Sequence, residues 1–197
     1  VLPPGLKPVF FHESPTLAEG VRDINKFSNN VMAEQLFLTL AVQNRGSGSA
    51  PLAVEVVQAW WRERLSGVEA PHLDKGSGLS REARLSAQSL AALLQWAWAQ
   101  PFMPELIASL PVTGVDGTMK RSKSSAPAHL KTGSLRDVIS LAGYVQGDSG
   151  QRYTLVAIIN HPNANQARPA LDQLLEWTVR DTNNSDSARP AAKAQRP

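Results

Sequence analysis

Lys131, Thr132 and Gly133 form a tripeptide whose side chains suit the binding of a carboxylate. A lysine and a hydroxyl residue at the edge of a strand can both donate hydrogen bonds to an anion. Glycine lets an extended peptide approach closely enough to pair with the strand. The alternative is a solvated lysine followed by a turn, since short motifs often match by chance.

Ser28-Asn29-Asn30 is a second candidate and the only Ser-x-Asn in the chain. A hydroxyl at Ser28 can relay a proton, and the amide of Asn30 can hold a peptide group. The structural alternative is a helix N-cap at Ser28, although Val31 stands where a capping box would place an acid. The motif alone does not decide between these two interpretations.

The residues that several other catalytic and metal-binding mechanisms require are missing from this sequence. The chain contains no cysteine, which excludes disulfides, cysteine-based metal sites and a cysteine nucleophile. Neither a G-x-S-x-G nor a phosphate-binding loop is present, and the four histidines do not have metal-ligand spacing. We therefore expect neither a metal nor a cofactor.

The net charge of the chain is small, but basic residues are concentrated in one segment. A net charge of +3 does not favour a nucleic-acid partner, and the longest apolar runs are too short to predict a membrane span. Between Val115 and Arg136, however, Asp116 is the single acid, and the basic residues are Lys120, Arg121, Lys123, Lys131 and Arg136. That segment should attract an anion.

Helical periodicity dominates the first half of the chain. Apolar spacing predicts helices between Leu17 and Gln43, with a break at Ser28 to Asn30. The further predicted elements are a loop at 45–50, a helix from Pro51 to Leu65, a loop from Pro71 to Arg81, a helix capped by Ser86, and a short helix PELIASL.

The second half reads as a β-meander closed by a helix. VISLAGYVQ and RYTLVAIIN should pair as a hairpin across Gly147 to Gln151, with His129 to Ser134 as an adjoining strand. A helix follows between Gln166 and Arg180. The predicted class is α+β over residues 1–182, and we expect residues 183–197 to be a disordered tail. Three strands leave an open edge, which another chain segment or VLPPGLKPVFF would have to cover.

The two motifs together resemble a known family. Ser-x-Asn followed roughly a hundred residues later by Lys-Thr-Gly resembles the penicillin-binding proteins and serine β-lactamases. The segments INKFSNNVMAEQLF, LDKGSGLSR, GVDGTM, HLKTGSL and LAGYV are similar to peptidase family S13, the class C low-molecular-mass penicillin-binding proteins. The resemblance covers residues 8 to 180 and implies a penicillin-binding-protein fold and a serine-type D-alanyl-D-alanine carboxypeptidase/endopeptidase.

One family motif is missing. No lysine has a serine three positions before it, so the chain lacks the Ser-x-x-Lys that carries the nucleophile. It resembles the C-terminal half of such an enzyme, and the absent N-terminal half becomes an expected partner. These residues alone should be inactive, and the open sheet would be completed by that half.

The resemblance assigns a role to six residues. It implies that Ser28 shuttles a proton, Asn30 holds the substrate amide and Lys131 keeps the local field positive. It also implies that Thr132 binds the terminal carboxylate, Gly133 permits strand-like docking and the N–H of Ser134 belongs to the oxyanion hole. No catalytic role follows for Asp116 to Thr118 or for the Asp74 to Ser80 loop, where a turn is the default.

The implied ligands are peptidoglycan stem peptides ending in D-Ala-D-Ala and β-lactam antibiotics, in the periplasm. A noncatalytic module that binds peptidoglycan peptide or a partner through the Lys131 strand remains the alternative, and the presence of a Ser-x-x-Lys segment would discriminate between them. A serine β-lactamase is a further possibility that the wider segments favour less.

Overall fold

A computed structural model describes residues 5, 7 and 9–181 of the 197-residue chain. Five helices precede a three-stranded antiparallel sheet, and a sixth helix follows it, as the α+β prediction requires. The helices are α1 Leu17–Phe27, α2 Asn30–Arg45, α3 Ala50–Arg64, α4 Ala87–Trp98, α5 Met103–Ser109 and α6 Arg168–Val179. The strands are β1 Ala128–Leu135, β2 Val138–Gln146 and β3 Arg152–Asn160. The predicted tail, 183–197, lies outside the described residues.

Short polar side chains set the helix boundaries. Thr16 and Glu19 form a capping box at α1, and Ser86 caps α4 as predicted, by accepting from the N–H of Ser89. The N-cap interpretation of Ser28 is wrong. Asn29 caps α2 through the N–H of Met32, 3.1 Å away, whereas Ser28 is the C-cap of α1.

The sheet has the order β1-β2-β3, and β2 and β3 have the bounds that the sequence predicts. In the register, Gly133 lies opposite Ser140, and Ser140 lies opposite Ile158. The strand predicted from His129 to Ser134 extends by one residue at each end. The alternation of buried positions along β2 places side chains on both faces of the sheet.

Helices cover both faces. Leu130 and Leu141 pack with Leu175 of α6 on one face. On the other, Tyr144 packs with residues of α4 and α5, and its hydroxyl donates to the carbonyl of Leu94 at 2.7 Å. Burial on both faces fixes the strands that carry the Lys-Thr-Gly segment.

The outer edge of β1 is half covered. The N–H of Leu130 donates to the carbonyl of Pro111 at 2.8 Å, and the N–H of Thr113 donates to the carbonyl of Ala128 at 3.1 Å. Backbone groups of alternate residues face the same edge, so those of Thr132 and Ser134 also point outward. No strand pairs with them among the described residues.

The N-terminal segment supplies no strand at Gly5, Lys7 or Val9 to Phe11, and its other residues lie outside the described part. Among the described residues, no helix combines the length and the apolar character needed to cross a bilayer.

Candidate active site

Lys131 and Ser28, distant in sequence, meet in the structure. The Lys131 Nζ donates to Ser28 Oγ at 2.5 Å and to the carbonyl oxygen of Thr132 at 3.0 Å. An ammonium carries three protons, so one donor remains for a ligand. The two sequence motifs therefore form one site.

Ser28 has an unusual backbone. With φ 54° and ψ 47° it is left-handed, and its N–H donates to the carbonyl of Ile24. For a residue with a side chain this conformation costs about 1–2 kcal/mol. Among the described non-glycine residues, only Ser28 and Asp137 have positive φ. The turn from α1 into α2 holds the hydroxyl of Ser28 against Lys131.

Lys131 is partly removed from water. Burial lowers the pKa of its ammonium below the usual value of 10.5. No carboxylate of a described residue lies within ion-pair distance of it. An incoming carboxylate would therefore supply its counter-charge.

Asn30 is the first residue of α2 and joins that helix to the glycine-rich loop. Its Nδ2 donates to the carbonyl of Ser77 at 2.6 Å. Four residues on, the carboxylate of Glu34 accepts from the N–H of Gly76 at 2.8 Å. The loop is thus part of the site wall, and one amide proton of Asn30 is used by the protein itself.

Thr118 is a site residue that the sequence reasoning missed. It lies in a short 3-10 helix, Gly117–Met119, and its Oγ1 is 2.8 Å from that of Thr132. The sequence signal was the GVDGTM segment, for which a turn was the default interpretation. The two hydroxyls side by side can both reach one carboxylate.

An ion pair joins the segments that carry Ser28 and Thr118. The Nζ of Lys26 donates to Asp116 Oδ2 at 2.6 Å and to the carbonyl of Leu110 at 2.7 Å. The other oxygen of Asp116 accepts from the N–H of Val112 at 2.8 Å. The pKa of Asp116 is lowered because the hydrogen bond from Lys26, that from Val112 and the nearby positive charges outweigh the opposing effect of burial.

Gly133 and Ser134 lie on β1 beside this site. A Cβ on Gly133 would overlap the hydroxyl of Ser140 on the neighbouring strand, so a larger residue there would require that hydroxyl to rotate away. The approach of a peptide, which the sequence predicts as the reason for glycine, would use the opposite edge of the strand and stays a prediction. At that edge, the N–H of Ser134 points outward.

One cavity of about 720 Å³ contains all six residues named from sequence. Its charged lining residues are Lys131, Arg121, Arg168 and Asp172. Of the five basic residues in the predicted anion-attracting segment, Arg121 and Lys131 line it. No group of three or more histidines and acids within the described residues could hold a metal. The cavity therefore combines positively charged side chains, hydroxyl groups and a free strand edge.

Comparison with known proteins gives a consistent picture. A family model for the D-Ala-D-Ala carboxypeptidase 3 (S13) family matches residues 3–180. The D-alanyl-D-alanine carboxypeptidase of Actinomadura sp. (strain R39) is 31% identical over 177 residues, which cover 83% of this chain and 32% of that protein. A carboxypeptidase of the same name from Haemophilus influenzae is 28% identical, covering 76% of this chain and 33% of the relative.

Among solved structures, penicillin binding protein 4 from Haemophilus influenzae, crystallised with a β-lactam, aligns with a TM-score of 0.66 and 25% identity. The alignment covers 80% of this chain and 41% of that one. The chain therefore spans about a third of the length of the curated relatives it matches.

Proposed function

This chain belongs to the D-Ala-D-Ala carboxypeptidase 3 (S13) family, and we propose that it forms part of the active site of a serine-type D-alanyl-D-alanine carboxypeptidase/endopeptidase. The observation that carries the proposal is the contact between Lys131 and Ser28 inside the cavity that Asn30, Thr132, Gly133 and Ser134 also line. These residues bind and orient a substrate whose carbonyl is attacked by a serine from a Ser-x-x-Lys segment.

Thr132 binds the carboxylate of the terminal D-alanine, with Thr118 as a second hydroxyl donor. The supporting geometry is the 2.8 Å separation of their Oγ1 atoms and the free edge of β1 beside them. The positive charge of Lys131 attracts the same carboxylate. A substrate in extended conformation pairs with the outward backbone groups of Thr132 and Ser134, as an added strand does.

Ser28 carries the leaving-group proton. Its hydroxyl accepts from Lys131, so its own proton remains available for donation to a bound substrate. The hydroxyl then donates to the departing amine and recovers a proton from the general base of the Ser-x-x-Lys segment. Burial lowers the pKa of Lys131, and a substrate carboxylate beside the ammonium would oppose that effect by favouring the charged form.

The N–H of Ser134 is one donor of the oxyanion hole, and the nucleophilic serine supplies the other. Loss of one such donor costs about 3 to 4 kcal/mol of transition-state stabilisation. Without the Ser-x-x-Lys segment these 197 residues bind but do not hydrolyse.

The proposed substrates are peptidoglycan stem peptides ending in D-Ala-D-Ala, in the periplasm. β-Lactams mimic this peptide end and acylate the same serine. The β-lactam complex of the Haemophilus influenzae protein supports this part of the proposal. The other half of the enzyme is the expected partner.

A noncatalytic module that binds peptide through the free edge of β1 is the second candidate. The observation that favours it is the absence of Ser-x-x-Lys from the sequence. It would keep the carboxylate contacts of Thr132 and Lys131 without any need for the proton relay through Ser28.

Intact-mass measurement after incubation with a fluorescent penicillin tests the proposal. A protein that contains both this chain and a Ser-x-x-Lys segment should gain the mass of one penicillin, and the 197 residues alone should gain none. A stable adduct on the 197 residues alone would show that the nucleophile is assigned to the wrong segment. No adduct on the longer protein would favour the noncatalytic module.

A further inference from the structure

The cavity is also lined by a second group of charged residues, which belong to α6 and to the segment that follows Thr118. Arg121, two residues beyond the 3-10 helix that carries Thr118, lines it together with Arg168 and Asp172 of α6. Neither guanidinium forms an ion pair or hydrogen bond with another described residue, and both side chains are exposed. Counting Lys131, the cavity carries three cations and one acid.

Side-chain hydrogen bonds fix the Arg121 segment to α6. Ser122 Oγ donates to Asp172 Oδ1 at 3.2 Å, and Ser124 Oγ donates to Glu176 Oε1 at 2.6 Å. Leu175 of the same helix is fully buried against the sheet. The two arginines therefore sit on elements that are held together and anchored in the core.

Free D-alanine cannot use this end of the cavity. Its single carboxylate is already matched by Thr132 and Lys131, and its side chain is a methyl group. A guanidinium binds carboxylates through paired N–H donors, so unpaired arginines in the same cavity match an additional carboxylate. Because Thr132 is proposed to bind the main-chain carboxylate of the leaving residue, a second carboxylate on that residue would have to come from its side chain.

We propose that Arg121 and Arg168 form a second carboxylate subsite that selects leaving groups with an acidic side chain over free D-alanine. This subsite rests on the proposed function. Hydrolysis breaks the bond between the acyl carbonyl carbon and the leaving nitrogen, and water supplies the hydroxyl to the acyl group and the proton to the amine. The arginines take no part in these bond changes and act by binding the leaving group.

Three substrates with one acyl group test the subsite in the complete enzyme that the proposed function requires. Their leaving groups are D-alanine, D-2-aminoadipate and the side-chain amide of D-2-aminoadipate. The last two differ in charge and hardly in size, so the ratio of their kcat/KM values measures recognition of the second carboxylate. We expect a ratio of about ten in the parent enzyme, a typical gain for a partly exposed charged contact.

Arg121→Gln and Arg168→Gln should each reduce that ratio to about two or less while leaving kcat/KM for the D-alanine substrate within about twofold. Matched controls are Lys120→Gln, adjacent in sequence but outside the cavity lining, and Arg180→Gln, which follows α6 at its far end. Circular dichroism confirms that each variant is folded.

A ratio near one in the parent enzyme, or an unchanged ratio in both arginine variants, would overturn the subsite while leaving the proposed function intact. Failure to release any of the three leaving groups would instead overturn the proposed function, and the subsite with it.

Discussion

The ammonium of Lys26 lies 2.6 Å from the carboxylate of Asp116 and joins two segments ninety residues apart. Lys26 precedes Ser28 by two positions, and Asp116 precedes Thr118 by two. The side chain of Lys26 is 11% exposed, that of Asp116 39%. The ion pair therefore positions the proposed proton relay relative to the proposed carboxylate site, although neither of its members touches the substrate.

Replacing Lys26 with methionine should lower the free energy of unfolding by about 2 kcal/mol, because the carbonyl of Leu110 and Asp116 both lose a buried donor. Urea denaturation of the 197-residue chain measures the change. Arg22→Met is the matched control on the same helix, where the ion pair with Asp23 is exposed and should contribute below about 0.5 kcal/mol. Equal effects of the two substitutions would contradict the positioning role.

Gly117 should tolerate alanine poorly. Its φ is +52°, and a Cβ would lie 2.6 Å from the backbone oxygen of Lys26. Gly114 has φ +70° but open space around it. We expect Gly114→Ala to cost about 1 kcal/mol of unfolding free energy and Gly117→Ala about 3 kcal/mol, measured by the same denaturation experiment. A smaller loss of unfolding free energy at Gly117 than at Gly114 would show that Gly117 does not pack this closely against the backbone of Lys26.

We expect the left-handed backbone of Ser28 to lower the stability of the folded protein. Ser28→Gly and Ser28→Ala both remove the hydroxyl that accepts from Lys131, but only glycine adopts the left-handed backbone freely. The glycine variant should be more stable than the alanine variant by about 1 kcal/mol in thermal or urea unfolding. If alanine is equally stable, the backbone at position 28 is not left-handed in solution.

The lowered pKa of Lys131 predicts a pH dependence of stability. Between that lowered pKa and the ordinary 10.5, the unfolded chain binds more protons than the folded one, so the free energy of unfolding rises with pH in this window. Lys131→Met should remove this rise in urea titrations carried out over a pH series that ends at 10.5. Parallel pH profiles of the two proteins would contradict the burial of the ammonium.

Tyr144 and Tyr153 also titrate at alkaline pH, with pKa values raised by burial and by the Asp181 carboxylate respectively. Both tyrosines are present in the parent and in the Lys131→Met variant. The difference between the two pH profiles therefore reports the contribution of Lys131 without that of the tyrosines.

Much of the fold follows from local pattern. β2 and β3 match their predicted bounds because alternation and the Gly147 to Gln151 turn leave one register. Ser86 was identifiable as a cap because its role depends on residues within one turn. The role of Ser28 as the C-cap of α1 was not identifiable, because the choice between its two flanking helices depends on a backbone angle that the sequence does not determine.

The site was predictable to the extent that its residues form short motifs. Thr118 and Arg168 were missed, and Arg121 was identified only as part of a basic segment, because only the packing of the 3-10 helix and α6 around β1 brings them to the cavity. Gly133 was named from its motif and lines the cavity, but its contact with Ser140 depends on the pairing of β1 with β2. Such contacts between elements leave no periodic signal in the sequence.

Lys131 and Ser28 are proposed to act together in a D-alanyl-D-alanine peptidase site. The most direct test of this joint action is the rate of D-alanine release from a D-Ala-D-Ala peptide by a protein that carries this chain together with a Ser-x-x-Lys segment. Lys131→Ala should lower kcat/KM at least about a hundredfold with unchanged circular dichroism, whereas Lys120→Ala should leave it within about twofold. Equal rates for the parent and Lys131→Ala would show that Lys131 has no role in the reaction.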